Sequence, residues 1–279
     1  MKRSWADING HLSQAEAARI SVFDRGFVFG DSVVESTRVQ GSTPFELDAH
    51  IARLLRSATY IGLPSLGHHE LRDRADRLIE HAGHREAVLR LFLTAGVELD
   101  GVPTREEIEP VSVLTLAEVD PLPPLAVRGV SAMMVSVRKP HRLALDPRAQ
   151  TGSDLNSVLA AREARSLGFA EAIMLDDAGR VAGGATDAIF AWIHDCWYTP
   201  PAGTHTKVAP AVVLSVLEAN DEPVVEHPMD VEDLENADEL LLVGSVRELT
   251  PIVELNGVPV GTGRPGTATQ RLGGWFADR

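Results

Sequence analysis

Asp24-Arg25-Gly26-Phe27-Val28-Phe29-Gly30-Asp31-Ser32-Val33-Val34-Glu35-Ser36-Thr37-Arg38 is the stretch on which the reading of this chain turns. It lies within residues 6–40, which read as short strands with turn residues between them. Working outward, residues 48–62 predict a helix. Asp48 can cap it, Ile51, Leu54, Leu55 and Ala58 form an apolar stripe, and Gly62 ends it. A second helix is expected over about 69–82, with Leu71, Ala75, Leu78 and Ile79 turned inward. Two strands follow, at 87–94 and 111–117.

Asp120-Pro121-Leu122-Pro123-Pro124-Leu125 interrupts this pattern. Three prolines so close together cannot sit inside a helix or a central strand. The expected organisation is a small N-terminal α/β domain over 1–119, a linker at 120–125 and a larger domain over 126–279. In the second half, strands are expected at 131–137, 172–175, 189–193, 239–243 and 252–255. Helices are expected at 154–167, with Ser153 as cap and Gly168 as stop, and at 210–219, where Pro210 takes the tolerated first position. Asn256-Gly257 is a hairpin signal. Strands mixed with helices in both halves give an α+β chain.

The chain has 279 residues, 44% of them hydrophobic and 24% charged, as in ordinary globular proteins. Disordered and fibrous classes are excluded. No apolar run approaches the roughly 20 residues of a membrane helix. The opening Met1-Lys2-Arg3-Ser4-Trp5-Ala6-Asp7 has no apolar core after its charges, so it does not read as a secretory signal. A lone cysteine, Cys196, fits a reducing, cytoplasmic setting. A net charge of -14 opposes nucleic-acid and anionic-membrane partners. Only Lys2, Lys139 and Lys207 are lysines, so imine chemistry has few possible amines.

Generic motifs are silent. There is no glycine-rich nucleotide loop of either usual form. The pair His81/His84 has helical spacing but no cysteine or carboxylate cluster beside it, so it reads as solvated surface and no metal is implied. The acidic run at 230–239 reads as a solvated helix or loop. Cys196, inside the apolar stretch 193–198, reads as a buried, inert thiol.

The stretch 24–38 resembles the opening signature of the class IV aminotransferases, a family of pyridoxal phosphate enzymes of fold type IV. It includes branched-chain and D-amino-acid aminotransferases and aminodeoxychorismate lyases. The resemblance continues through His50-Ile51-Ala52-Arg53-Leu54, Ser57-Ala58 and Gly62-Leu63. It resumes at residues 156–168, at 175–186, in Tyr198-Thr199-Pro200-Pro201 and at 239–251. It implies a small N-terminal α/β domain, a larger barrel-like C-terminal α/β domain, a cofactor site between them, and a homodimer.

Such a cofactor asks four things of its protein: a lysine for the imine, a carboxylate on the pyridine nitrogen, a phosphate cup and a clamp for the substrate carboxylate. In the family the lysine stands five residues before the leucine that opens the next helix. The matching run, Gln150-Thr151-Gly152-Ser153-Asp154-Leu155, puts Gln150 in its place. The family glutamate falls on Gly183 and the following asparagine on Ala188. Asp187 is adjacent, but a one-residue offset in a strand turns it to the opposite face. The phosphate arginine matches Arg53, and a hydroxyl that usually contacts the phosphate matches Ser245, next to Val246. The family's Gly-Ile-Thr-Arg reads here as Lys207-Val208-Ala209-Pro210. The N–H groups of Val208 and Ala209 remain available to an anion, and Lys207 adds charge. A Thr-Arg-Gly of the D-amino-acid branch appears as Thr94-Ala95-Gly96, while Arg38 and Arg90 remain as possible carboxylate contacts.

Three functions follow from this pattern. The first is a family member that has left standard pyridoxal chemistry and binds a small anionic or phosphorylated ligand. The second is an atypical enzyme that uses pyridoxal or pyridoxamine phosphate without the usual lysine, with Lys207 standing in. Lys139 reads instead as a surface charge at a strand end. The third is a non-catalytic partner subunit, against which the retention of Arg53 and Ser245 argues. The first is preferred.

Overall fold

A computed structural model describes residues 4–64, 66–99, 109–201 and 207–278. Met1, Lys2 and Arg3 lie outside the described residues. The chain divides into two compact units. One comprises residues 1–121 and 147–153, the other 122–146 and 154–279.

The first unit is built on alternation. Strands β1 (Ser4–Ile8) and β2 (His11–Gln14) form a hairpin; helix α1 (Arg25–Phe29) follows, then β3 (Ser32–Gln40) and the short β4 (Thr43–Pro44). Helices α2 (Leu47–Tyr60) and α3 (His68–Ala82) precede β5 (Glu86–Thr94) and β6 (Val111–Glu118). All six strands pair antiparallel in the order β2-β1-β6-β5-β3-β4. Leu89, Leu91 and Leu93 alternate with Arg90 and Phe92 along β5, so one face of the sheet is apolar. That face joins a core made by Ile51, Leu54 and Ala58 of α2 and by Leu71, Ala75 and Leu78 of α3.

Two local expectations change. Residues 25–29 form a helix where only strands and turns were expected. Asp24 caps it by accepting from the Gly26 N–H at 2.8 Å, and Gly30 closes it at φ 71°. His84 is buried, not solvated. Gly83 ends α3 at φ 64° and the chain re-enters the protein there, whereas His81 stays outside with its ring edge on Trp5, 4.5 Å between centroids.

In the second unit, residues 125–127 form a single 3-10 turn. Then come β7 (Val130–Met134), α4 (Leu155–Ser166), β8 (Glu171–Leu175), β9 (Val181–Gly184), β10 (Ala188–Ile193) and β11 (Cys196–Thr199). They are followed by α5 (Val208–Ala219), β12 (Val224–Glu226), α6 (Val231–Glu235), β13 (Glu239–Gly244), β14 (Glu248–Leu255), β15 (Val258–Pro259) and α7 (Thr267–Ala277). The sheet runs β12-β11-β10-β13-β14-β7-β8-β9, with β15 against β14. Most pairs are antiparallel; β11/β12, β14/β7 and β7/β8 are parallel. Ile173, Ile189, Leu240, Leu242 and Ile252 fill one core, and Ala160 and Ala164 of α4 pack with Met174 in another. Cys196 is half-buried rather than buried. Trp197, its neighbour on the other face of the strand, is the residue that fills the core. Glu239, in the acidic run, caps α7 by accepting from the N–H groups of Ala268 at 2.9 Å and Thr269 at 2.8 Å. No described helix is long and apolar enough to cross a membrane.

The segment 147–153 was expected to belong with the C-terminal part and instead lies in the first unit. Backbone hydrogen bonds hold it to β3: Val34 N–H to the Gln150 carbonyl at 3.0 Å and Gly152 N–H to the Ser32 carbonyl at 2.8 Å. Thr151 forms an antiparallel bridge with Val33. A Cβ at Gly152 would meet the Ser32 hydroxyl, which would have to turn away to admit it.

Candidate functional site

In the first unit, Arg53 sits on the buried face of α2, and Glu35 points from the middle of β3. Both side chains are buried. Arg53 Nη1 donates to Glu35 Oε1 at 2.9 Å and Oε2 at 3.1 Å. The ring of His50, one helical turn before Arg53, meets Glu35 Oε2 through Nδ1 at 2.7 Å. Gln150 completes the cluster: its Oε1 accepts from Arg53 Nη2 at 3.0 Å, and its backbone N–H donates to Ser57 Oγ at 3.1 Å. A buried charge needs such a partner set. Arg53 Nε and His50 Nε2 are buried without a protein hydrogen-bond partner.

Elsewhere in this unit the candidates are held in structural contacts. Arg38 is buried and donates to Glu86 Oε2 and to the Asp120 carbonyl, both at 2.8 Å. Thr94 Oγ1 donates to Asp24 Oδ2 at 2.7 Å, tying the end of β5 to the α1 cap. Arg90 is exposed on the sheet face away from the helices.

The second unit holds the remaining candidates. Val208 and Ala209 open α5, and both are buried. The helix starts two residues before Pro210. Its first-turn N–H groups have no intrahelical partner, so a proline there breaks no bond. Lys207 precedes the helix and donates through Nζ to the Thr186 carbonyl at 2.8 Å. Ser245 and Val246 lie between β13 and β14 and are half-buried. Gly183 in β9 has φ +120°, a region that side-chain-bearing residues avoid, and a Cβ there would come within 3.0 Å of the Asp187 carbonyl oxygen. Asp187 is ion-paired with Arg247 at 2.5 Å, and Arg247 also pairs with Glu171. Burial works against the Arg247 charge, but Glu171 and Asp187 outweigh it and raise its pKa.

Lys139, read from the sequence as a surface charge, is half-buried with its amine turned inward. Its backbone N–H extends the β7/β8 pairing by donating to the Leu175 carbonyl at 3.0 Å, and Nζ donates to the Ala185 carbonyl at 2.8 Å. Burial lowers its pKa, against the opposing charges of Asp154 and Asp187. Glu35 and His50 also lay within the quoted motifs without an assigned part. Their signal was position: Glu35 in the middle of the 24–38 stretch, and His50 three residues before the arginine. Among the described residues no cluster of three His, Cys, Asp or Glu side chains could hold a metal ion.

Comparison with known proteins places the chain in a family. The family described as amino-transferase class IV matches residues 32–255. A Methanocaldococcus jannaschii protein, provisionally named a branched-chain-amino-acid aminotransferase, is 34% identical over 276 residues, covering 97% of this chain and 94% of its own. The crystal structure of the Escherichia coli branched-chain amino acid aminotransferase superposes with a TM-score of 0.93 at 26% identity, over 99% of this chain and 94% of that one. An aminotransferase from Brucella abortus, crystallised with bound pyridoxal phosphate, gives 0.89 at 22% identity over 99% and 98%, a likeness of fold. The mixed α/β units are thus those of the fold type IV pyridoxal phosphate enzymes. A family match over most of the chain and a full-length relative agree: this chain belongs to the class IV aminotransferase family.

Proposed function

We propose that this protein is a class IV aminotransferase-like protein whose pyridoxal phosphate site is degenerate, and that it binds a small anionic or phosphorylated ligand rather than running standard transamination. The observation that carries this reading is Gln150. Its amide is engaged by Arg53, at the position to which the resemblance assigns the family lysine. An amide nitrogen is not nucleophilic and forms no imine.

The remaining groups fit pyridoxal phosphate only in part. Gly183, at the place of the pyridine carboxylate, has no side chain, and its φ of +120° disfavours one. Asp187, in the turn that follows, is taken by Arg247. What persists suits an anion within each unit taken by itself: in the second, the N-terminus of the twelve-residue α5 at Val208 and Ala209 and the Ser245 hydroxyl; in the first, Arg53, whose charge Glu35 shares. These pieces bind charge; the groups that would turn a pyridine ring into an electron sink are missing.

The test has two arms. Protein supplied with pyridoxal phosphate and an L- or D-amino acid donor is expected to form no 2-oxo acid above the protein-free background. Inorganic phosphate, followed through the fluorescence of the four tryptophans, is expected to bind saturably to the native chain and at least tenfold more weakly to Arg53→Met. Catalysed release of a 2-oxo acid would overturn the reading.

A further inference from the structure

The sequence holds two Asn-Gly pairs, and both stand at hairpin turns: Asn9-Gly10 between β1 and β2, and Asn256-Gly257 between β14 and β15. Both asparagines are exposed and left-handed, at φ 48° and 53°. Neither glycine would meet a neighbour within 4 Å if it carried a Cβ, so space does not separate the two turns. Hydrogen bonds do. The Gly10 N–H donates to Asp7 Oδ1 at 2.9 Å, and that buried carboxylate is itself gripped by Arg74. The Asn9 N–H donates to the Ser112 carbonyl at 2.9 Å, four residue pairs close the hairpin, and β1 is paired on its other side with β6. At the second turn, the Gly257 N–H has no hydrogen-bond partner among the described residues. Only two residue pairs, Leu255 with Val258 and Glu254 with Pro259, close that hairpin, so it opens at small cost. Asn256 Oδ1 accepts from the Met134 N–H at 2.9 Å, a donor that draws electrons away from Cγ.

We propose that Asn256-Gly257 is a site of spontaneous deamidation and isoaspartate formation, and that the fold protects Asn9-Gly10 from the same reaction. In the step, the Gly257 backbone nitrogen gives up its proton and bonds to Asn256 Cγ, whose C=O π pair moves to oxygen, where the Met134 N–H receives the charge. When the C=O bond re-forms, the Cγ–Nδ2 bond breaks, and the side-chain nitrogen takes a proton and leaves as ammonia. Water then opens the cyclic imide at one of its two carbonyl carbons, returning a proton to the Gly257 nitrogen and leaving aspartate or isoaspartate. The sum is amide plus water giving carboxylate and ammonium; nothing is oxidised or reduced. Either product adds a negative charge to a chain of net charge -14. Isoaspartate also routes the main chain through the side chain, which lengthens the turn and breaks the pairing of Leu255 with Val258. At Asn9 the same attack would first have to pull the Gly10 N–H off Asp7.

Because the chain carries both turns, one serves as the control for the other, and no variant is needed. Full-length protein is kept at mildly alkaline pH, native and, separately, unfolded in guanidinium chloride. Samples taken over time are digested and mapped by mass spectrometry, which reads the mass gained when NH2 becomes OH. A protease that cuts before aspartate but not before isoaspartate separates the two products. The expected initial rate of amide loss in the native chain is at least tenfold higher at Asn256 than at Asn9, with both products present at 256, and the two rates come together in the unfolded chain. A native rate at Asn256 less than tenfold above that at Asn9 would overturn the inference. So would a difference that persists on unfolding, since it would then belong to the local sequence and not to the hydrogen bonds of the two turns.

Discussion

Asp7 shows what a single buried charge does here. It is fully buried; Arg74 grips it at 2.5 and 3.0 Å, Arg77 at 3.1 Å, and the Gly10 N–H at 2.9 Å. Burial pushes its carboxyl up, but hydrogen bonds and charge from Arg74, with the Gly10 N–H and Arg77, outweigh it and hold the pKa below the ordinary 3.8. Between the lowered folded value and the unfolded one, the unfolded chain binds more protons, so stability there rises with pH. The contribution is complete above 3.8 and fades as pH falls through the folded value. Asp7→Asn is therefore expected to cost roughly 3 kcal/mol at neutral pH, by leaving the buried Arg74 guanidinium without its carboxylate, and to flatten the acid limb of stability. Urea unfolding of both chains between pH 2 and 7 checks it. Equal slopes below 3.8 would refute it. The sequence concealed this contact, since Asp7 and Arg74 are 67 positions apart. Arg53 was legible because a local motif surrounds it. Lys139 was misread because a lysine after a strand usually faces water, and only the tertiary path of residues 185–186 draws its amine inward.

At the scale of elements, apolar periodicity carried most of the reading. Helix α2 was expected at 48–62 and runs Leu47–Tyr60, and α3 was expected from 69 and runs from His68. The misses lie where period says little. Helix α1 has five residues, too few for a stripe. Helix α7 gets its N-terminal partner, Glu239, from a strand far back in the chain. Strand β9 contains Gly183 and Gly184, residues that weaken any strand pattern. Its geometry gives a prediction. Gly183→Ala places a Cβ on a left-handed backbone and within 3.0 Å of the Asp187 carbonyl oxygen, so it should destabilise the chain by about 1–2 kcal/mol. Thermal unfolding beside native protein measures it; an unchanged midpoint would mean that the strand relaxes at no cost.

For the whole molecule, the fold was legible as a family resemblance and not as a topology. Nothing local says that β7 lies between β14 and β8 in the second sheet. Exposed apolar residues carry a prediction about assembly. Val22 (67% exposed), Phe23 and Phe27 (71%) sit with Val28 and Phe29 on the surface of the first unit. Such an apolar stretch is the kind of surface that a second copy would cover, against the repulsion of two chains of net charge -14. Sedimentation equilibrium is expected to give twice the 30.1 kDa chain mass, and Phe27→Glu to give single chains with unchanged circular dichroism. A native monomer would refute it. The strap at 147–153 has a different consequence. The chain leaves the first unit at 121 and returns to it only for these residues. On the ribosome, therefore, β3 emerges more than a hundred residues before the segment that pairs with it, and Arg53 waits 97 residues for Gln150. The unit that begins the chain is not the one that can finish folding at once: synthesis must run past Ser153 before its last hydrogen bonds can close.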